Sequence, residues 1–186
     1  MEEIKEGYTR VSQIIGQWNQ YAHIPKHVLK NKCRIGSEVH QKIEGEIEGF
    51  FVDISEDAQG YFDSWEKWTQ EIEKNSYFDY LISEKRYYCD ELKITGCIDA
   101  LVDFAGWTGI LDYKTSAQVH PKSWALQASF YYYFLHKYEE YDIEPAVKFI
   151  HLQKDGSCAK EIEIKCTNEL WEVAQSSLHT YRYFNA

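Results

Sequence analysis

Only three of the 186 residues are proline, and no proline-, glycine- or serine-rich stretch or internal repeat interrupts the chain. Residues 1–186 are therefore expected to form one domain, long enough to bury a real core. Long apolar runs are missing too: the longest, Phe130 to Leu135, is short and aromatic, whereas a membrane span needs about 20 apolar residues. The start, Met1-Glu2-Glu3-Ile4-Lys5-Glu6, has neither the basic region nor the apolar stretch of a signal peptide, so a cytosolic location with no membrane partner is expected. Paired cysteines are absent: Cys33, Cys89, Cys97, Cys158 and Cys166 are odd in number and never spaced Cys-x-x-Cys. A structural zinc or an iron–sulfur cluster needs clustered thiolates; neither is expected, and reduced, mostly buried thiols suit a reducing compartment.

Positive charge is scarce, with 30 Asp and Glu against 20 Lys and Arg, a net charge of −10. That balance argues against tight passive binding to a polyanionic duplex. Its distribution is uneven. Residues 1–34 carry six Lys/Arg and three acids, whereas residues 35–80 carry three and twelve, so the N-terminal segment can supply a local basic approach to a metal-filled site.

What is abundant is apolar and aromatic, at 44% and 16% of the chain, and it is periodic. Val11, Ile14, Ile15 and Trp18 have helical spacing with Thr9 as a cap. Pro25 suits the first turn of a short helix. Ile35, Val39, Ile43 and Ile47 recur every four residues up to about Gly49, and Tyr61, Trp65, Trp68 and Ile72 mark a further amphipathic helix. Near Tyr77 the pattern changes. Residues 80–89 and 92–104 read as a hairpin around Asp90-Glu91. A turn at Ala105-Gly106-Trp107-Thr108 leads to a strand over 109–115. Ser123 can cap a helix to about His136. Strands over 146–153 and 159–165 follow, and Thr167 caps a last helix with Leu170, Val173, Ala174 and Leu178 inward. A mainly helical part (1–76) followed by a β-β-β-α-β-β-α core (77–186) makes this a mixed-sheet α/β protein.

Asp112 and Lys114 are two apart on one strand, so their side chains leave the same face. Asp99 lies on the preceding strand. If the two strands pair, two carboxylates and an ammonium converge, which makes a hard-oxygen site for Mg²⁺ or Mn²⁺. Such an ion can polarise a phosphoryl oxygen and activate water, while a nearby lysine orients that water or stabilises developing charge. A single Asp-x-Lys is more often an ion pair near a strand end. Here it has company: Gly96-Cys97-Ile98-Asp99 before it, Asp112-Tyr113-Lys114-Thr115 around it, Gln127 and Tyr131 four apart after it, and Gly36-Ser37-Glu38-Val39-His40 upstream.

In this ordered set the chain resembles the PD-(D/E)xK nuclease superfamily, and more narrowly its RecB-like and phage-exonuclease branch. The resemblance implies a restriction-endonuclease-like core. It implies His40, Asp99 and Asp112 as metal ligands with the Tyr113 carbonyl, Lys114 as catalytic lysine, and Gln127 and Tyr131 facing the metal or the scissile phosphate. Without it, His40 reads as a surface histidine beside Glu44, and Tyr131 as core. Glu84 is an additional acidic ligand or an ordinary surface ion-pair partner of Lys85 and Arg86, and Glu44 is similarly open. His23, His27, His120, His136, His151 and His179 show no ligand spacing. The cysteines depart from the four-cysteine iron–sulfur pattern of some relatives, and no G-x-x-x-x-G-K-[ST] helicase loop is present.

The expected activity is a DNA exonuclease of recombination, repair or phage type, acting at ends or single strands and able to serve a recombinase, helicase or single-strand-binding protein. A single-strand or flap endonuclease of the same fold is the first alternative, and a non-catalytic DNA-binding or assembly subunit the second. Trp107, Trp124 and Tyr131 to Tyr133 offer stacking surfaces for a displaced strand, though most of so many aromatics belong in a core.

Overall fold

The computed structural model describes residues 4–18, 24–74 and 76–185. His23 and the first three residues, which figure in the sequence reading, lie outside them. In chain order the elements are β1 (Thr9–Arg10), α1 (Val11–Gly16), α2 (Lys26–Glu48), α3 (Glu56–Glu73), β2 (Phe78–Cys89), β3 (Ile94–Phe104), β4 (Trp107–Lys114), α4 (Pro121–Tyr138), β5 (Ala146–His151), β6 (Lys160–Lys165) and α5 (Asn168–Phe184). The strands form one mixed six-stranded sheet, ordered β1-β3-β4-β5-β6 with β2 on the other side of β3. The β4–β5 pair is parallel, with α4 as its crossover, and β2–β3, β3–β4 and β5–β6 are antiparallel. No helix among the described residues is long and apolar enough to cross a membrane.

Helices cover both faces. On one, α1, α4 and α5 bury Ile14, Phe130, Phe134 and Leu178 against Ile98, Ile110 and Phe149. On the other, Ile35, Val39 and Ile43 of α2 and Tyr61, Trp65 and Trp68 of α3 pack on Ala100, Val102, Leu111, Tyr113 and Ile150. Full burial of each such side chain contributes about 1.5–3 kcal/mol, so the four-residue apolar period of α2 is what fixes its rotation about its axis.

Several boundaries differ from the sequence expectation. Pro25 opens a single continuous 23-residue helix that includes the Ile35–Gly49 stretch; Pro at a helix start loses no hydrogen bond, so nothing separates the two halves. Thr9 pairs in β1, and Arg10 takes the cap of α1, which stops at Gly16 and leaves Trp18 52% exposed. Trp107 and Thr108 belong to β4, because Ala105 and Gly106, both left-handed, complete the turn alone. His120 occupies the cap position of α4, and the Ser123 hydroxyl donates to its carbonyl. Thr167 does cap α5, accepting from the Leu170 N–H, but Val173 is exposed. Of the cysteines only Cys89 is buried; Cys33 is exposed and the others are half-buried.

Candidate active site

The sheet is forked where the motif residues lie. From Phe104↔Trp107 to Ala100↔Leu111, β3 pairs with β4; at its other end β3 pairs with β1 through Ile94 and Thr95. Between these ladders β4 leaves β3. The Tyr113 N–H donates to Asp99 Oδ2 at 2.8 Å in place of a ladder acceptor. The same stretch of β3 also changes face. Ile94 and Ile98 belong to the α4 side, whereas Ala100 and Val102 belong to the α2 side. Opposite Asp99, between the pairs Ser83↔Ala100 and Lys85↔Ile98, stands Glu84 with φ +42°. A left-handed residue is strained in a strand, at order 1–3 kcal/mol. Here it reverses the alternation of β2 and lets Asp99 project along the sheet toward β4.

Five elements, α2, β2, β3, β4 and α4, bring the sequence-predicted residues to this fork. From α2, His40 places Nε2 3.0 Å from the Tyr113 carbonyl, and Nδ1 3.2 Å from Glu84 Oε1 and 3.4 Å from Asp99 Oδ1. From β4, Asp112 is 1% exposed and in ion-pair contact with Lys114. From α4, Gln127 Oε1 accepts from Lys114 Nζ at 2.9 Å, and Gln127 Nε2 donates to the Tyr131 hydroxyl at 2.9 Å. Gln127 and Tyr131 thus support the lysine from one face of α4, as their four-residue spacing requires. Two glycines make room. A Cβ on Gly96 would stand 2.9 Å from carbons of both Tyr131 and Phe134, and one on Gly36 would stand 3.3 Å from Thr115 Oγ1.

The electrostatics ask for a cation. A neutral imidazole has one donor and one acceptor nitrogen, yet every partner of His40 is an acceptor. Its ring must carry two protons, or a cation must stand in place of one of them. Burial works against the imidazolium, but Asp99 and Glu84 outweigh it and hold the His40 pKa well above the usual histidine range. Burial likewise opposes ionisation of Asp99, which His40, Lys114 and the Tyr113 N–H nonetheless keep below the ordinary aspartate value. Asp112 is the reverse case. Burial pushes its carboxyl up to about 7 against the attraction of Lys114, with Asp99 adding repulsion. Although it touches Lys114, neither of its oxygens has a hydrogen bond of acceptable geometry. A buried carboxylate with one poorly aligned ammonium contact and no other donor is costly in an apoprotein. His40, Glu84 and Asp99 each offer a ligand atom within 4.8 Å of the others. The donor set, imidazole with carboxylates, therefore fits a divalent ion such as Mg²⁺ or Mn²⁺. The 3.0 Å between His40 Nε2 and the Tyr113 carbonyl is a hydrogen-bond distance, and because one ion takes one ring nitrogen, Tyr113 lies at the opposite edge of the imidazole from Glu84 and Asp99, which face Nδ1.

Glu84 was ambiguous in the sequence between a ligand and a surface ion pair. The strained backbone that turns it to His40 could not be read from its neighbours Lys85 and Arg86. Glu44, one turn beyond His40, has its carboxyl pKa raised by burial and by the charges of Glu84 and Glu48. His151 is buried, with Nε2 2.6 Å from the Ser116 carbonyl, and steadies the segment after β4. Trp124 stacks on Phe149 inside the core and Tyr131 is buried, so neither offers a face to a displaced base; Trp107, Tyr132 and Tyr133 are half-buried.

The sequence profile of the PD-(D/E)XK nuclease superfamily matches residues 21–180. The chain belongs to that superfamily. Among solved structures it is similar to a protein from Eubacterium rectale that carries a provisional exonuclease name, with TM-score 0.51 and 11% identity over 97% of this chain and 84% of the other. It also matches an alkaline exonuclease, LHK-Exo, from Laribacter hongkongensis, with TM-score 0.41 and 11% identity over 95% and 87%. Identity this low makes the first a likeness of fold alone, and a TM-score below 0.5 carries the second no further. No curated protein matches the sequence.

Proposed function

We propose that this chain is a divalent-metal-dependent deoxyribonuclease acting as an exonuclease, with residues 1–186 serving as one nuclease domain. The observation that carries the reading is Asp112, a buried carboxylate whose one charged contact is Lys114, set beside the acceptor-only surroundings of His40 at a fork in the sheet. His40, Asp99, Asp112 and the Tyr113 carbonyl would hold the ion, with Glu84 as a further acidic ligand and Glu44 adding negative charge one turn along α2. Bound there, Mg²⁺ or Mn²⁺ supplies Lewis-acid polarisation of a phosphoryl oxygen and a more acidic water.

The protein's own groups do the rest. Lys114 Nζ, in ion-pair contact with Asp112 and donating to Gln127, keeps N–H capacity for the attacking water or the charge growing on the phosphoryl oxygens. Gln127, bonded on its far side to Tyr131, fixes the direction of that ammonium. Attack forms a water-oxygen bond to phosphorus as the P–O3′ bond breaks, leaving a 5′-phosphate and a 3′-hydroxyl.

The test is cleavage of end-labelled linear and circular DNA, single- and double-stranded, with Mg²⁺ and Mn²⁺ compared. Linear substrate should be degraded from its ends and circles left intact. Cutting of circular single strands would make it an endonuclease of the same chemistry. No cleavage of any substrate, together with no binding of either ion, would leave only a non-catalytic subunit.

A further inference from the structure

α2 is longer than its packing requires. Its buried positions begin at Ile35, and over residues 26–33 every residue is exposed except Leu29, which is half-buried. Arg34, bonded to Glu38, Ser55 and Asp57, marks the point at which the helix joins α3 and the body of the protein. The preceding eight residues form an arm about 12 Å long at 1.5 Å per residue. An isolated helix of that length is marginal in water; this one persists as an extension of a docked helix.

The arm is also opposite in charge to the segment that follows it, residues 35–80. From Gly7 to Ser37 the sequence contains no Asp or Glu, in a chain with a net charge of −10. Lys26, Lys30 and Lys32 are exposed and have no ionic partner among the described residues. At 100° per residue the stripe leading to His40 runs Lys26, Leu29, Cys33, Gly36 and Ser37, with Lys30 and Lys32 on its two flanks. Cys33, Gly36 and Ser37 are small, so the stripe is an open track edged by ammonium groups. It ends at the fork, where Gly36 lies against Thr115, the residue after Lys114.

We infer that the projecting N-terminal arm of α2 binds the phosphodiester backbone of a single nucleic-acid strand and leads it to the fork at His40. The inference rests on the nuclease reading for what happens at the fork, but not for the binding itself. A single strand fits because the positive zone is one helix wide. A duplex would press its second phosphate row against an acidic body, which supplies twelve acids and three Lys/Arg over residues 35–80 alone. Lysine suits the task because it holds phosphate as a point charge without demanding a fixed geometry.

The test measures binding of a fluorescein-labelled oligodeoxythymidylate by anisotropy in Ca²⁺ across a salt series. The full chain is compared with the triple variant Lys26→Gln, Lys30→Gln, Lys32→Gln, glutamine being nearly as good a helix former. A control triple, Lys154→Gln, Lys160→Gln, Lys165→Gln, makes the same charge change on and beside β6. The arm variant should bind at least roughly tenfold more weakly at low salt and lose about two from the slope of log affinity against log salt, three contacts at about 0.7 each. The control should do neither. Equal affinity and slope in the arm variant, an equal loss in the control, or no oligonucleotide binding by the unmodified chain would each overturn the inference. Hydrolysis of the p-nitrophenyl ester of thymidine 5′-phosphate with Mn²⁺, a diester with no strand for the arm to hold, separates the two readings. The arm variant should retain it. If the unmodified chain binds the oligonucleotide through the arm but hydrolyses no diester, the nuclease reading fails and the arm stands.

Discussion

Asp99 and Asp112 face each other across the fork, and their environments push them in opposite directions. Asp99 has a backbone N–H, an imidazole and an ammonium to favour its charge, whereas Asp112 has an ion-pair contact and no hydrogen bond. An amide at position 112 keeps the shape and removes the cost of a buried charge, while Lys114, 18% exposed, keeps Gln127 as acceptor and Asp99 as counter-charge. Asp112→Asn is therefore expected to raise the metal-free melting temperature while abolishing cleavage; melting curves recorded in EDTA that fall below those of the unmodified protein would contradict the claim that this carboxylate is unsatisfied. Lys114→Ala should lower turnover by about 10²–10³-fold, the usual cost of one charge-stabilising donor, yet leave ion binding intact. Calorimetric titration with Mn²⁺ checks the second half: weaker ion binding than in the unmodified chain would mean that Lys114 holds the ligands and not the substrate. His40→Ala should slow turnover and change the ratio of Mg²⁺- to Mn²⁺-supported rates, read from parallel assays in the two ions.

At the level of elements the site depends on close approaches that the sequence announces only as glycines. Gly96 admits Tyr131 and Phe134 of α4 to β3, and both rings are buried. Gly96→Ala cannot be absorbed by rotating either, so overpacking of about 1–3 kcal/mol is expected, lowering the melting temperature by roughly 2–4 °C per kcal/mol; an unchanged melting curve would show that α4 can shift. Where α2 meets α3, the Arg34 guanidinium binds Glu38 and Asp57. The Ser55 hydroxyl and Arg34 hold the Glu38 carboxyl below its usual value, and Arg34 and Ser55 do the same for Asp57. Depressed carboxylates stabilise the fold above their unfolded pKa, near 4, and lose that contribution as pH falls through the folded value. The double variant Glu38→Gln, Asp57→Asn should accordingly flatten the acid limb of a stability-against-pH curve below about pH 5 and leave the neutral region little changed. A limb of unaltered slope would show that the network adds nothing.

For the molecule as a whole, two kinds of signal were legible in the sequence and a third was not. The apolar periods of α2, α3 and α5, a repeating constraint of one-face burial, and the β-branched and aromatic richness of β2 and β3 gave the element order apart from β1. The ordered residues His40, Asp99, Asp112, Lys114, Gln127 and Tyr131 pointed to one site through their resemblance to the superfamily's motif; spacing by itself only put Asp112 with Lys114, and Gln127 with Tyr131, on common faces. Non-periodic information was hidden. Glu84 reaches His40 through one left-handed residue, and the exposure of the α2 arm depends on where α3 begins, not on the composition of α2.

The same global view gives a prediction for the ion. In its absence the fork holds a buried carboxylate with only the Lys114 contact and an imidazole among acceptors, so ion binding can add stability. A ligand that binds only the native state adds RT ln(1 + [L]/Kd), about 2.7 kcal/mol at a hundred times Kd, or roughly 5–11 °C for a chain of this size. Mn²⁺ at saturation should raise the melting temperature by that much in the unmodified chain and by far less in Asp112→Asn, whose metal-free value starts higher. The two melting temperatures should therefore lie closest together in saturating Mn²⁺, or cross. A constant gap between them at every Mn²⁺ concentration would place the ion away from the fork, whatever the chain does to DNA.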